Sequence, residues 1–182
     1  MRTRASAAVA IFFCMSSVAT AQVVPKAPPG RQAIIAAARD IIDKARFGSL
    51  VTLGEKGAPQ ARIVDPFAPD SSFIVWVATN PLTRKASQIR NDGRVILLWF
   101  DPADPGYVSL TGRATLVADP AEKARHWKED WAGLYRDRNR GDDYLLIRIA
   151  PLHMEVVSSA HGMIGDPITW KPVMLDFPGG DS

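Results

Sequence analysis

The chain has 182 residues, of which 47% are hydrophobic and 23% are charged, values that suit one globular domain. Lys and Arg total 22 against 19 acidic residues, and this net charge of +3 is too small and too scattered to indicate a nucleic-acid-binding protein. A single cysteine, Cys14, excludes a disulfide scaffold, and the composition also excludes a wholly disordered or collagen-like chain.

Residues 1–21 have the pattern of a cleaved secretory signal peptide. Arg2 and Arg4 precede an apolar stretch over residues 5–19, and residues 19–21 form a small-x-small cleavage site. We therefore expect an exported protein, periplasmic or secreted, cleaved near Ala21 and without stable membrane insertion. The alternative is an uncleaved N-terminal anchor, although the apolar stretch is short for a bilayer span. Cleavage also removes Cys14.

The remaining chain alternates between predicted strands and helices. Residues 22–30 form a proline-rich arm, and residues 31–46 have the spacing of a helix with one apolar stripe. A second helix is predicted to begin with Asn80 as N-cap and to end near residue 90. A third is predicted to follow Asp119-Pro120 and to continue through Leu134. Strands are predicted over residues 49–53, 59–64, 73–79, 95–100, 107–118, 144–149 and 154–157.

Seven short strands and three helices favour a mainly β fold, a small antiparallel barrel with helices at its margins, over residues 31–160. A two-sheet sandwich is the alternative, since periodicity does not separate the two. Residues 73–79 and 95–100 are apolar on both faces, so we expect the barrel interior to cover one face and a helix or a partner subunit the other. Residues 161–182 are predicted to be an irregular tail.

The most informative segment is Thr79-Asn80-Pro81-Leu82-Thr83-Arg84-Lys85. A helix N-terminus carries partial positive charge and favours acidic residues, yet this one begins with two cations and no acid. A bound phosphate would reverse the sign of the interaction, using backbone N–H groups, the Thr83 hydroxyl and both cations. The alternative is a pair of solvated basic side chains. Arg62, on the preceding predicted strand, is a further candidate, although a lone strand arginine is usually a surface residue.

The arrangement of short motifs around these residues resembles the pyridoxamine 5′-phosphate oxidase-like, FMN-binding split-barrel family, and more loosely its general stress protein 26-like branch. The matching elements, in family order over about 60 residues, are R-x-V from Arg62, a strand ending at Thr79, [ST]-R-K-x-x-Q-I from Thr83, R-V-x-L-L from Arg94 and V-S-L-T-G-x-A from Val108.

The resemblance implies a six-stranded Greek-key split barrel that forms a homodimer, with two FMN molecules at the dimer interface. It places FMN contacts, to the phosphate, ribityl chain and ring, on residues of these motifs, with Tyr107 reaching FMN from the second subunit. True oxidases of this family have a lysine where this chain has Phe67, and the tail does not supply their Trp and Arg. The resemblance therefore supports FMN binding and gives little support to vitamin B6 as substrate. The implied FMN-binding residues are Arg62, Ile63, Val64, Ala78, Thr79, Thr83, Arg84, Lys85 and Tyr107.

The leading hypothesis is an FMN-dependent oxidoreductase that acts on a small molecule or on NAD(P)H. The alternatives are a flavin- or haem-binding carrier and a non-catalytic split-barrel dimer, because no acid–base residue stands out and exported flavoproteins must find their FMN outside the cell. His161 beside Ser158 does not form a nucleophile-elbow motif, and the three histidines lack the spacing of a metal site.

Overall fold

The computed structural model describes residues 28–135 and 141–179. The predicted signal peptide, most of the proline-rich arm and the polar stretch over residues 136–140 lie outside these ranges. Within them, none of the helices has the length and apolar character needed to cross a bilayer.

Seven antiparallel strands join into one sheet, and three helices flank it in the described part of the chain. The helices are α1 (Arg31–Ala45), α2 (Arg84–Asn91) and α3 (Pro120–Arg125). The strands are β1 (Gly48–Leu53), β2 (Pro59–Val64), β3 (Val75–Thr79), β4 (Arg94–Asp101), β5 (Gly106–Val117), β6 (Leu145–Val157) and β7 (Val173–Asp176).

The strand order is β2-β1-β4-β5-β6-β3, with β7 pairing beside β3 on the same edge of β6. Pro66, just after β2, forms a bridge with Val77 of β3, and the Phe67 amide donates to the Trp76 carbonyl at 2.9 Å. Because this contact joins the two ends of the strand order, the sheet closes on itself. The predicted split-barrel fold is confirmed, and the sandwich alternative is wrong because all the strands belong to one sheet.

Alternating residues of β1, β4, β5 and β6 fill the barrel, and α1 packs against this core. Leu50, Leu97, Leu110 and Met154, paired across these four strands, are all fully buried. The stripe of α1 predicted from sequence packs against this core through Ile34, Ala37, Ala38, Ile41 and Ile42. Burial of each leucine, isoleucine or methionine side chain in this core contributes roughly 1.5–3 kcal/mol to stability. The barrel therefore supports the helices packed around it.

The barrel differs from the prediction in its longest strands. The two strands predicted at 144–149 and 154–157 are one strand, β6, which passes through Pro151 because a register shift at Thr111/Gly112 accommodates it. A Cβ on Gly112 would lie 2.5 Å from the carbonyl oxygen of Ala150, so only glycine allows the two strands this approach. This explains the glycine of the V-S-L-T-G-x-A motif.

Four other element boundaries also differ. The strand predicted from residue 73 begins at Val75, because Phe73 adopts a φ of 64° at the end of a turn capped by Asp70. The third helix ends at Arg125 and is followed by a separate 3₁₀ turn, Glu129–Gly133. The tail predicted to be irregular contains β7, which pairs with His153–Val156. The second helix begins at Arg84 instead of directly after Asn80, for a reason that belongs to the site.

Candidate functional site

Three cationic side chains converge where α2 begins beside β2. Arg62 on β2 pairs with buried Leu50 and therefore faces the interior side of the sheet. Arg84 and Lys85 are the first two residues of α2. Burial, and then the charge of Arg84, lower the pKa of Arg62. Burial, and then the charge of Arg62, lower the pKa of Lys85. The three predicted phosphate ligands are thus brought together.

No acidic side chain in the described ranges forms an ion pair with these three cations. Burial is the larger cause of the lowered pKa of Arg62 and of Lys85, and the neighbouring positive charge lowers both further, because like charges disfavour one another's protonated forms. The mutual repulsion of the three cations destabilises the folded state, and an anion bound among the three side chains would offset this repulsion.

The start of α2 leaves its first amide groups uncapped. Asn80 accepts a hydrogen bond from the Leu82 amide at its Oδ1 atom and one from the Thr83 amide at its carbonyl oxygen, so residues 80–83 form a turn before the helix. Thr83 is the N-cap, and its side chain caps no helical amide. Its hydroxyl instead donates to the Asn80 carbonyl at 2.8 Å and lies 3.0 Å from the Thr79 hydroxyl. The prediction of Asn80 as N-cap was wrong, but Arg84 and Lys85 remain in the first turn.

Arg62 is held in one orientation by a hydrogen-bonded group that the sequence reasoning did not identify. Its Nη1 donates to the Thr52 hydroxyl at 2.6 Å and to the Leu50 carbonyl at 3.1 Å, and its Nη2 donates to Gln88 Oε1 at 3.0 Å. Gln88 Nε2 in turn donates to Gln60 Oε1 at 2.9 Å. The available signals were Thr52, a second hydroxyl in a mostly apolar strand, and the glutamine of the [ST]-R-K-x-x-Q-I motif.

The remaining residues of the predicted set are divided between two faces of the barrel wall. Val64 is buried on the same face as Arg62, and Thr79 is buried where its hydroxyl meets Thr83. Ile63 points to the other face and is 70% exposed. Ala78 is turned away from Thr79 and packs against a second core cluster, built around Trp131, Tyr144 and Leu146.

Tyr107 is not brought to the cations within one chain. It lies on β5, three strands from Arg62, and pairs with Phe100, which is exposed on the outer face of the sheet. Neighbouring strands are about 4.8 Å apart, so three steps correspond to roughly 14 Å. Burial, and then the neighbouring Glu155 carboxylate, raise the pKa of the Tyr107 phenol.

Phe67, at the position where true oxidases have a lysine, belongs to an aromatic wall. Its ring meets His126 and Trp131 edge to face, with centroids 5.2 and 5.5 Å apart. Lys128 lies 5.0 Å from the same ring and forms an ion pair with Asp65 at 2.9 Å. An apolar ring thus stands at the position where the oxidases of this family have a lysine.

The histidines occupy separate parts of the structure. His126 stacks on Trp76 at 4.4 Å, and His153 meets Asp176 at 2.6 Å. His161 lies 2.9 Å from the Ser158 hydroxyl and 3.2 Å from Asp40.

Ser158 and His161 are adjacent in space, as a hydrolytic pair would require, but Ser158 is fully buried. Its hydroxyl donates to Asp104 at 2.7 Å. With no exposed nucleophile, this group serves to join α1, the β4–β5 turn and the segment after β6.

Comparison with known proteins agrees with the fold and with the motifs. The family model described as pyridoxamine 5′-phosphate oxidase matches residues 34–158. No curated protein is found to be similar to the chain. Among solved structures, General Stress Protein 26 from Bacillus anthracis str. Sterne has 22% identity and a TM-score of 0.61, covering 78% of this chain and 97% of that one.

Two further structures show the range of ligands named for this fold. A pyridoxamine 5′-phosphate oxidase-related, FMN-binding protein from Nostoc punctiforme PCC 73102 has 16% identity and a TM-score of 0.59, covering 81% of this chain and 95% of that one. A heme binding protein from Mycobacterium smegmatis has 20% identity and a TM-score of 0.55, covering 71% of this chain and 55% of that one. The family model spans most of the barrel, from α1 to the end of β6, and the chain therefore belongs to the pyridoxamine 5′-phosphate oxidase-like, FMN-binding split-barrel family.

Proposed function

We propose that this chain binds FMN and acts as an FMN-dependent oxidoreductase on a small molecule or on NAD(P)H. The observation that carries the proposal is the group formed by Arg62, Arg84 and Lys85, which has no acidic partner in the described ranges and lies against the uncapped start of α2. A phosphate dianion matches both the charge and the donor set.

The donors of Arg62 fit a phosphate group in particular. Three of its five N–H hydrogens are used by Thr52, Leu50 and Gln88. The remaining two, on Nε and Nη2, donate to no described residue. Arg62 therefore has the two parallel donors that bidentate phosphate recognition requires. Bound at this site, FMN would supply the electron-transfer chemistry, while Arg62, Arg84 and Lys85 would hold its phosphate end. The hydroxyl and the amide of Thr83 already donate to the Asn80 carbonyl, so Thr83 shapes the turn beside the phosphate.

The test is a titration of the mature chain, residues 22–182, with FMN and with riboflavin, followed by flavin absorbance and fluorescence. Replacing Arg84 and Lys85 together with alanine removes two charge-assisted hydrogen-bond donors, worth about 1.5–3 kcal/mol each. We expect FMN affinity to fall by a factor of at least about 100 and riboflavin affinity to stay unchanged.

The matched control is a double substitution of Arg113 and Lys171 with alanine. Both side chains are exposed, and the change in net charge is the same. This variant should bind FMN as the wild type does. If the Arg84/Lys85 variant keeps its FMN affinity, the phosphate assignment is wrong.

We also propose that the chain forms a homodimer through the outer face of β2, β1 and β4. Ile63, Leu98 and Phe100 on this face are 70%, 38% and 57% exposed, and Ile63 and Leu98 both pair with Ser49 between them. Tyr107 borders this apolar face beside Phe100. A partner placed there would explain why β4 is apolar on its outer side and would allow Tyr107 to reach the partner's FMN.

Dimerisation can be tested by analytical ultracentrifugation. Leu98→Glu should convert the dimer to a monomer. FMN binding should weaken at the same time, because Tyr107 of each subunit would no longer reach the FMN of the other. Ala124→Glu, at an exposed position of α3, should leave the dimer intact. A wild-type monomer that binds FMN at full affinity would contradict the proposed interface.

The second candidate function is a carrier of flavin or haem without turnover. It is favoured by the likeness to a heme binding protein and by the lack of an evident acid–base residue beside the three cations among residues 28–135 and 141–179. Anaerobic bleaching of the bound flavin by NADH or NADPH, with recovery in air, would support the oxidoreductase. Stable flavin colour under the same conditions would support the flavin carrier, and a Soret band on haem addition would support a haem carrier.

The signal-peptide pattern of residues 1–21 supports export to the periplasm or the medium. Mass spectrometry of the protein recovered from its native host should give an N-terminus at Gln22. A cytoplasmic protein that keeps Met1 would contradict export.

A further inference from the structure

Gln88 and Thr52 together present two oxygen atoms to the end of the Arg62 guanidinium. The Thr52 hydroxyl accepts from Nη1 at 2.6 Å, Gln88 Oε1 accepts from Nη2 at 3.0 Å, and the two oxygens are 2.5 Å apart. A carboxylate meets an arginine with the same arrangement of two adjacent oxygens on two nitrogens. Here the pair is electrically neutral, because one oxygen belongs to an amide and the other to a hydroxyl.

This pair determines which edge of Arg62 stays free. The two oxygens are hydrogen-bonded to each other, so they lie on the edge shared by Nη1 and Nη2. The second hydrogen of Nη1 goes to the Leu50 carbonyl. The two donors left over, Nε–H and one N–H of Nη2, therefore lie side by side on the other edge and point in the same direction.

The orientation of Gln88 is itself fixed. Its Nε2 donates to Gln60 Oε1 at 2.9 Å, and this bond keeps the amide oxygen toward Arg62. A Cβ on Gly54 would lie 2.9 Å from Gln60 Nε2 and 3.3 Å from Gln88 Nε2, so the glycine leaves the space that the two amides occupy. Thr52 is fully buried beneath them.

We propose that Gln88 is a positioning residue that aims Arg62 without neutralising it, and that this makes the site selective for flavins carrying a phosphate ester over uncharged flavins. The inference rests on the proposed FMN site. A glutamate at this position would hold Arg62 equally well, but it would form an ion pair with it and cancel one of the three positive charges. The neutral acceptor keeps all three charges available to a dianion.

Gln88→Glu tests this directly, since it replaces one NH₂ group by an oxygen of similar size. The Gln60 amide can turn over and donate its own NH₂ group to the new oxygen, so the contact between positions 60 and 88 is retained. We expect FMN affinity to fall about 10- to 100-fold, the range given by loss of one charged hydrogen bond. Riboflavin affinity should change less than about twofold, and the melting temperature of the flavin-free protein should stay equal or rise. A merely structural role would instead lower the melting temperature and weaken both flavins together.

Gln32→Glu is the matched control, because it makes the same change of side chain and charge at an exposed position of α1. It should retain FMN affinity within about threefold, since Gln32 lies outside the hydrogen-bonded group around Arg62. Gln88→Leu is an independent test, because it removes the oxygen that accepts from Arg62 Nη2. We expect it to reduce the preference for FMN over riboflavin and to leave riboflavin binding unchanged.

The outcomes separate this inference from the proposed function. A wild type that prefers FMN, with a Gln88→Glu variant that keeps the full preference, overturns the role of Gln88 alone. A wild type that binds FMN and riboflavin equally overturns both proposals. Loss of FMN selectivity in the folded Gln88→Glu variant, with Gln32→Glu unaffected, supports the assignment.

Discussion

Lys85→Met is expected to stabilise the flavin-free protein while weakening its binding of FMN. Lys85 is the second residue of α2, is half-buried and has a pKa lowered by burial and then by Arg62. A cation at a helix N-terminus costs about 0.3–1 kcal/mol, and a neighbouring like charge adds about 0.2–0.5 kcal/mol. Methionine keeps the aliphatic stem, so the free energy of unfolding should rise by about 0.5–1.5 kcal/mol. For a domain of this size that corresponds to about 1–6 °C in Tm.

The pH dependence of this gain has a defined sign. Since the folded state lowers the pKa of Lys85, the unfolded chain holds the proton more tightly. The destabilisation of the folded state by the charged Lys85 is therefore fully present at neutral pH. It is lost as the pH rises from the lowered pKa toward the ordinary value near 10.4, because Lys85 then loses its proton. The difference in stability between Lys85→Met and the wild type should shrink over that interval.

Thermal denaturation at pH 7 and at pH 10, with and without saturating FMN, measures all three effects. FMN should raise the Tm of the wild type more than that of Lys85→Met, because the stabilisation by a ligand grows with its affinity. Lys171→Met, at an exposed tail position, should behave as the wild type in every condition. A Lys85→Met variant that is less stable at pH 7 and equally stabilised by FMN would refute the electrostatic reasoning.

Three further predictions concern the scaffold. Gly112→Ala should destabilise the fold by about 2–4 kcal/mol in urea denaturation, since its Cβ would meet the Ala150 carbonyl at 2.5 Å; an unchanged midpoint would contradict the close approach of β5 and β6. The Asp92 carboxyl should titrate by NMR with a pKa of about 2, because Arg94 donates to it, and Arg94→Ala should return it toward 3.8. Trp131→Ala should lower stability by about 3–5 kcal/mol, as expected for the centre of the second core cluster; a loss below 1 kcal/mol would show that the cluster is peripheral.

Much of the fold could be predicted because strong periodicity coincides with burial. The stripe of α1 and the alternation in β4 and β5 each depend on a core-facing side, so the pattern in sequence is the pattern in space. β7 escaped prediction because it has four residues, of which only Leu175 is buried, and its place depends on β6. The continuity of β6 through Pro151 depends on the bulge opposite it at Gly112, and no local signal in β6 itself indicates that bulge.

The part of the candidate site with an unusual charge pattern within one segment could be predicted from the sequence. The part that depends on contacts between residues far apart in the chain could not. Arg84 and Lys85 stood out because two adjacent cations begin the helix at the end where acidic residues are favoured. Gln88 did not, since an amide on a polar helix surface has no distinctive pattern until β1 and β2 bring Thr52 and Arg62 against it. The start of α2 was misplaced because Asn80 can cap a turn as readily as a helix.

The central claim is that Arg62, Arg84 and Lys85 hold the phosphate of FMN. The most direct measurement is the ratio of the FMN and riboflavin dissociation constants for the unmodified mature chain, taken in one buffer at fixed low salt. Several charge-assisted hydrogen bonds to the phosphate predict that FMN binds at least about 100-fold more tightly. Equal affinities for the two flavins, or no binding of either, would contradict the claim.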